Sequence, residues 1–108
     1  MKKVYLSLDD IDLGYLTKSE DLFQFVADEV AIKEAEQTNP LAMKLFKLNR
    51  KGKMFFDELP NVFRKFLVSN LRKDIISKAD IIEEDNDFER LFKLAGLNMM
   101  NITFKIHQ

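Results

Sequence analysis

The sequence predicts an α+β fold, with three or four helices packed on a small sheet formed by the N-terminal and C-terminal strands. Three observations predict it. Both ends of the chain alternate apolar and polar residues with period two. The stretch between them changes to a period near 3.6. Glycine (3) and proline (2) are scarce in 108 residues, which argues against a sandwich of many tight turns. The length suits a single domain over residues 1–108. A chain of this size buries roughly two-thirds of its unfolded surface, enough for one core. Apolar residues make up 46%, ten of them Phe, so core material is plentiful.

At the N-terminus, Val4, Leu6 and Leu8 share one face of a strand, with Lys3, Tyr5 and Ser7 on the other. At the C-terminus, Met100, Ile102, Phe104 and Ile106 alternate with Asn101, Thr103, Lys105 and His107. Each strand has one apolar face, as in a sheet covered on one side. Thr17-x-x-Glu20 reads as a capping box opening a first helix that runs to about Gln37. Phe23, Val26 and Val30 form its stripe. Asn39-Pro40 stops that helix and starts a second, with Asn39 as N-cap and Pro40 at the first position. The second helix is expected to turn Leu41, Leu45 and Leu48 inward and to end near Gly52. Residues 53 to 56 are left as a short strand, and Asn49 to Lys53 also suits a hairpin turn. A third helix follows Leu59-Pro60, with Phe63, Leu67, Leu71 and Ile75 repeating every four residues beside Val62 and Phe66. Asn86-x-x-Glu89 caps a last helix carrying Phe88, Leu91, Phe92 and Ala95, which Gly96 ends. Two terminal strands alone are only marginally stable in water. They need a helix layer, a third strand or a second chain, which raises the expectation of a homodimer or of strand addition by a partner.

The 17 basic and 18 acidic residues leave a net charge of −1, so nothing pulls the whole molecule toward nucleic acid or anionic membrane. The lack of cysteine excludes disulfides, thiolate metal sites and a Cys nucleophile. Met1-Lys2-Lys3 starts like a secretory signal, but no apolar h-region follows, and no window approaches a membrane span. A cytoplasmic protein without membrane contact is expected, and the Asn101-Ile102-Thr103 sequon reads as chance. Lys outnumbers Arg 13 to 4, a bias that suits AT-rich coding, as in a low-GC bacterium or its phage.

Catalytic groups are sparse. His107 is the only histidine and reads as a solvent-facing strand-end residue. Glycines at 14, 52 and 96 are too far apart for a phosphate loop. Asp9, Asp10 and Asp12 follow the first strand, where acids for Mg²⁺ often lie, although Asp runs also simply make turns. Asp80, Glu83, Glu84, Asp85, Asp87 and Glu89 lack the spacing of a calcium loop and read as a solvated acidic connection.

The basic residues carry more information. Lys44, Lys47, Arg50, Lys51 and Lys53 fall in ten residues without an acid. Lys44, Lys47 and Lys51 would form one stripe of the second helix, and the third helix adds Arg64, Lys65, Arg72, Lys73 and Lys78. A solvated helix face is the plainer account of these stripes. The basic run and the acidic run at 80 to 89 could suit a charged partner, or could face each other. Met54-Phe55-Phe56 cannot place all three side chains in one core from a single element. Burial under neighbouring helices is the bland alternative to an exposed anchor.

The leading expectation is a non-enzymatic protein-interaction module without a cofactor. It would bind a larger protein through Lys44, Lys47, Arg50, Lys51, Lys53, Met54 and Phe55. A narrower version is a phage-type inhibitor of a host or defence protein, such as an anti-CRISPR. The alternatives are a nucleic-acid-binding accessory protein using the basic helix faces, and a Mg-dependent enzyme using Asp9, Asp10 and Asp12. The nucleic-acid alternative predicts affinity that falls steeply with salt and is lost in a Lys47→Glu, Lys51→Glu double variant. Salt-independent binding in a titration would refute it.

Overall fold

The computed structural model describes residues 1–98 and 104–108. The expected positions Met100, Asn101, Ile102 and Thr103 of the C-terminal strand lie outside the described residues. The chain runs β1 (Val4–Leu8), β2 (Ile11–Ser19), β3 (Leu22–Ala27), α1 (Glu29–Thr38), α2 (Pro40–Phe46), β4 (Lys53–Phe56), α3 (Asn61–Asn70), α4 (Lys73–Lys78), α5 (Asp87–Ala95) and β5 (Lys105–His107). The α+β class is as the patterning predicts. The sheet is larger, with five strands in the order β4-β3-β2-β1-β5 and every neighbouring pair antiparallel.

The two ends of the chain do meet. Tyr5, Leu6 and Ser7 of β1 lie opposite His107, Ile106 and Lys105 of β5. Val4, Leu6, Leu8 and Ile106 are buried, so the apolar phases of both strands face the helices. With three further strands in the same chain, the sheet does not need a second copy to be stable.

β1 and β2 form a hairpin in which Leu8 faces Ile11. Asp9 and Asp10 fill its two-residue turn with φ of 51° and 65°. Left-handed φ at both central positions is what a primed hairpin turn needs, and Asp tolerates it. These two acids are therefore turn residues, and among the described residues they form no three-carboxylate group with Asp12 that could hold a metal ion.

The first expected helix is where sequence and structure differ most. Residues 17 to 27 belong to a second hairpin, closed at Ser19 and Leu22, with Glu20 at φ 54°. Phe23 and Phe25 are buried and Gln24 between them is not, a period of two. The Thr17 hydroxyl caps no helix: it is buried in β2 without a hydrogen-bond partner among the described residues. α1 begins only at Glu29, capped by Asp28, whose carboxylate accepts from the Ala31 N–H at 3.1 Å. Val30, expected in the stripe, is 77% exposed, while Ala31, Ile32 and Ala35 are buried.

Asn39 and Pro40 open α2 as expected, with the Asn39 side chain accepting from Ala42 N–H. The helix ends at Phe46 rather than near Gly52, because Lys47 takes a left-handed conformation (φ 54°, ψ 40°). The inward face also differs. Ala42 and Phe46 are buried, while Leu41 and Leu45 are 71% and 69% exposed and Leu48 is half-buried. Two turns of helix bury only one face, and the Phe46 ring meets Phe104 edge-on at 5.6 Å. An aromatic contact of this kind adds to a larger buried area than a leucine offers. The chain then turns through residues 47–52, where the Asn49 side-chain amide donates to the Lys51 and Gly52 carbonyls. Residues 53 to 56 form the expected short strand, paired with β3 and not with a hairpin partner before Gly52.

The run of Phe63, Leu67, Leu71 and Ile75 spans two helices. α3 ends at Asn70, whose side-chain amide donates to the Phe66 carbonyl at 2.8 Å. An asparagine that bonds the backbone itself competes with helix continuation. Leu71 leaves the helical conformation (φ −83°, ψ 66°), Arg72 is extended, and Ile75 begins the buried side of α4. α5 starts as expected, with the Asn86 side chain accepting from Glu89 N–H at 2.8 Å. Phe88, Leu91, Leu94 and Ala95 are buried against the sheet and α3.

The acidic stretch before α5 is not merely solvated. The buried Asp85 carboxylate accepts from Lys93 Nζ at 2.7 Å and from Ile82 N–H at 3.0 Å. Lys93 also donates to the Asp80 carbonyl. The Lys93 ammonium and then the Ile82 N–H hold the Asp85 carboxyl below the usual aspartate range. Two residues of opposite sign thus pin the loop between α4 and α5.

Inverted burial on α2 gives a direct test. Phe46→Ala should cost about 3–5 kcal/mol in urea unfolding, as for a buried aromatic. Leu45→Ala should change stability by about 0.5 kcal/mol or less. Equal losses would overturn this assignment of the helix face.

Candidate interaction surface

Every residue of the expected basic surface is exposed, but the chain presents them differently from a helical stripe. Only Lys44 is helical. Lys47 caps α2, Arg50 and Lys51 lie in the turn, and Lys53 opens β4. The stripe of Lys44, Lys47 and Lys51 fails because α2 stops before its second member. Arg50 pairs with Glu36 at 3.4 Å. Among the described residues, no ion pair engages Lys44, Lys47, Lys51 or Lys53, and none joins 44–53 to 80–89. The two charged runs do not neutralise each other. Arg64 of the expected second stripe is engaged with Glu58 and Asn61.

β4 is an outer strand of the sheet. Met54 lies opposite Phe25 and Phe55 opposite Gln24, so they point to opposite faces. Met54 is 45% exposed and Phe55 56%, while Phe56, opposite the buried Phe23, is half-buried. Burial of all three under helices does not occur, because the strand runs along the margin of the helix layer. Between α2 and α3, a groove of about 270 Å³ is lined by Leu45, Phe46, Val62 and Phe104, with Lys47 and Lys65 also in its wall.

A second polar cluster lies on the sheet face away from the helices. β2 has one residue more than β1 opposite it: Leu6 faces Gly14 and Ser7 faces Asp12, leaving Leu13 as a bulge. A bulge resets the alternation of a strand. Leu13 therefore enters the core, and Asp12 comes to the face that carries Ser7 and Tyr5. The strand β5 brings His107 to the same place. Its Nε2 lies 2.7 Å from Asp12 Oδ1 and 3.1 Å from Ser7 Oγ, and the Ser7 hydroxyl donates to the same Asp12 oxygen. Nδ1 lies 2.9 Å from the Gln108 carbonyl oxygen. The ring stacks on Tyr5 with centroids 5.3 Å apart, and Tyr5 contacts Tyr15, over which Lys3 Nζ sits at 4.5 Å.

His107 is the strand-end residue expected, at the end of β5 on the polar face, and it is also engaged there by Asp12 and Ser7. The serine hydroxyl and the imidazole converge on one carboxylate oxygen, instead of standing in line as hydroxyl, base and acid. What the cluster does is tie three strands together at their polar face. The signal for it was in the sequence, since Tyr5, Ser7, Lys105 and His107 are the polar phases of the two terminal strands. Only the β1–β5 register and the bulge bring Asp12 to them. Desolvation raises the Asp12 carboxyl, but hydrogen bonds from Ser7 and His107 and the charges of His107 and Lys105 outweigh it and hold the group below the usual range.

A carboxyl lowered in the folded state stabilises above its unfolded pKa and loses that contribution as pH falls. Asp12→Asn should therefore be less stable than the wild type near neutral pH. The gap should close as urea unfolding is repeated from about pH 7 down to about pH 3, through the ordinary aspartate range. A gap independent of pH would show that the carboxylate charge plays no part. Among the described residues no three His, Cys, Asp or Glu side chains gather as a metal site, and no helix is long and apolar enough to cross a membrane. No protein-family model and no curated protein matches this chain.

Proposed function

We propose that this protein is a non-catalytic interaction module that binds a larger protein through the surface formed by Lys44, Lys47, Arg50, Lys51, Lys53, Met54 and Phe55. One observation carries the reading: Met54 and Phe55 stand exposed on the two sides of an outer strand that Lys53 opens, and among the described residues no ion pair engages Lys44, Lys47, Lys51 or Lys53. Exposed aromatic and methionine side chains next to basic residues have the composition of interface centres. The surrounding charge speeds encounter with an acidic partner and sets its orientation. The small size and the excess of Lys over Arg accord with the narrower form of the reading, a phage-type inhibitor acting on a cytoplasmic host or defence protein.

The test is an affinity capture from bacterial lysate treated with nuclease, comparing wild type with Phe55→Glu and Lys44→Glu. One protein should be retained by the wild type, lost with Phe55→Glu and weakened several-fold with Lys44→Glu, as for a central anchor and a peripheral charge. Both variants should melt as the wild type does, because the two positions are exposed. Capture that survives Phe55→Glu would place the interface elsewhere. Capture that disappears on nuclease treatment would put nucleic acid in its place.

A further inference from the structure

Beyond that reading, we infer that the groove between α2 and α3 binds a medium-length aliphatic carboxylate, its chain lying between the helices and its head held by Lys47 and Lys65. The groove exists because α2 is short. The helix buries Ala42 and Phe46 and leaves Leu45 on the rim, 69% exposed. The Phe46 ring meets Phe104 edge-on at 5.6 Å, and Phe104 meets Phe66 of α3 at 6.5 Å. Rings in contact with one another thus fix the apolar side of the groove, which Val62 completes. An apolar cavity of about 150 Å³ holds benzene. By that measure about 270 Å³ suits a chain of about eight carbons with its head group.

The charges choose the head. Lys47 lines the groove from the end of α2 and Lys65 lines it from α3. Among the described residues no ion pair engages either lysine, and the groove's lining contains no acid. Asp57 and Glu58 line the adjoining hollow before α3, which shares Phe46, Lys47 and Asn61 with the groove, and Glu58 is engaged by Arg64. Lys65 borders the groove and not that hollow. Asn61 Oδ1 already accepts from Arg64, which leaves its amide N–H groups as the open end. A carboxylate offers one oxygen to each ammonium, and charge-assisted bonds of this kind are the strong ones. The dimensions choose the body. A partner helix would be read through anchors spread over two turns, about 10 Å. The α2 wall runs from Ala42 to Lys47 and the α3 wall from Asn61 to Lys65, each about 6–8 Å long at the helical rise. Walls of that length hold one chain and not a helix face.

The experiment titrates the full chain with octanoate, octanol and butyrate at fixed pH and ionic strength, with backbone amide shifts read by NMR. Octanoate should move Leu45, Phe46, Val62 and Lys65 and should saturate. It should bind roughly tenfold more tightly than butyrate, which has the head but a shorter apolar chain. It should also bind several-fold more tightly than octanol, which has the chain without the charge. Lys65→Glu should weaken octanoate several-fold and leave octanol unchanged. Lys65 is exposed, so this variant should melt as the wild type does. Octanol or butyrate binding as tightly as octanoate, no saturation at the groove, or octanoate affinity unaltered by Lys65→Glu would each overturn the assignment. Shifts at these residues that follow protein concentration without ligand would give the groove to a second copy, and lysate capture lost with Lys65→Glu would give it to the partner protein. Either result overturns the carboxylate site. Lys65 lies outside the surface of Lys44 to Phe55. Capture that depends on Phe55 and survives Lys65→Glu therefore leaves the interaction surface standing, whatever octanoate does.

Discussion

At the middle of the sheet, β2 has to satisfy two neighbours of different register, and it does so at Leu13 and Gly14. Leu13 is the residue that β1 leaves unpaired, and Gly14 lies directly under the Phe25 ring. A Cβ on Gly14 would sit 2.7 Å from that ring and closer still to the Val26 carbonyl oxygen. The backbone there also has φ of 152°, which side chains rarely adopt. Glycine at this point lets Phe25 lie flat across the sheet and meet Phe63 of α3 at 6.1 Å. The bulge beside it sends Leu13 into the core and Asp12 to the opposite face. The seating of α1 and α3 and the polar cluster with His107 all follow from these two residues.

The same logic of pinning loose ends recurs twice. β5 is only three residues long and holds to the sheet through Ile106 in the core and His107 on the polar face. The loop before α5 is held by Lys93 reaching back to Asp85 and Asp80. In both cases a charged or polar contact fixes a short segment whose apolar area alone is small. Neither cluster shares residues with the β4 surface.

Among the described residues, that surface has one such contact, Arg50 with Glu36. Among the described residues no ion pair engages the other four cations, while Met54 and Phe55 on β4 and Leu41 and Leu45 on α2 lie exposed. A monomer gains nothing by leaving a methionine, a phenylalanine and two leucines in water. The short length of β4 and Lys53 within it limit edge-to-edge self-association.

Local chemistry determined a good part of this molecule. The polar and apolar phases of β1 and β5, the Asn39-Pro40 boundary, the Asn86 cap, the α5 stripe and the solvent exposure of the basic run can all be read from neighbouring residues. Each depends on contacts within a few positions of the chain. Tertiary structure alone decided the rest. The stretch from Thr17 to Ala27 carries both a helical and a strand pattern, and pairing with β1 on one side and β4 on the other selects the strand. Which face of α2 is buried depended on Phe104, some sixty residues away in sequence. The meeting of Ser7, Asp12 and His107 required a bulge and a strand register that no local window contains. The open edge of β4 is likewise a property of strand order, and strand order is set by packing across the whole sheet rather than by propensity within any one strand.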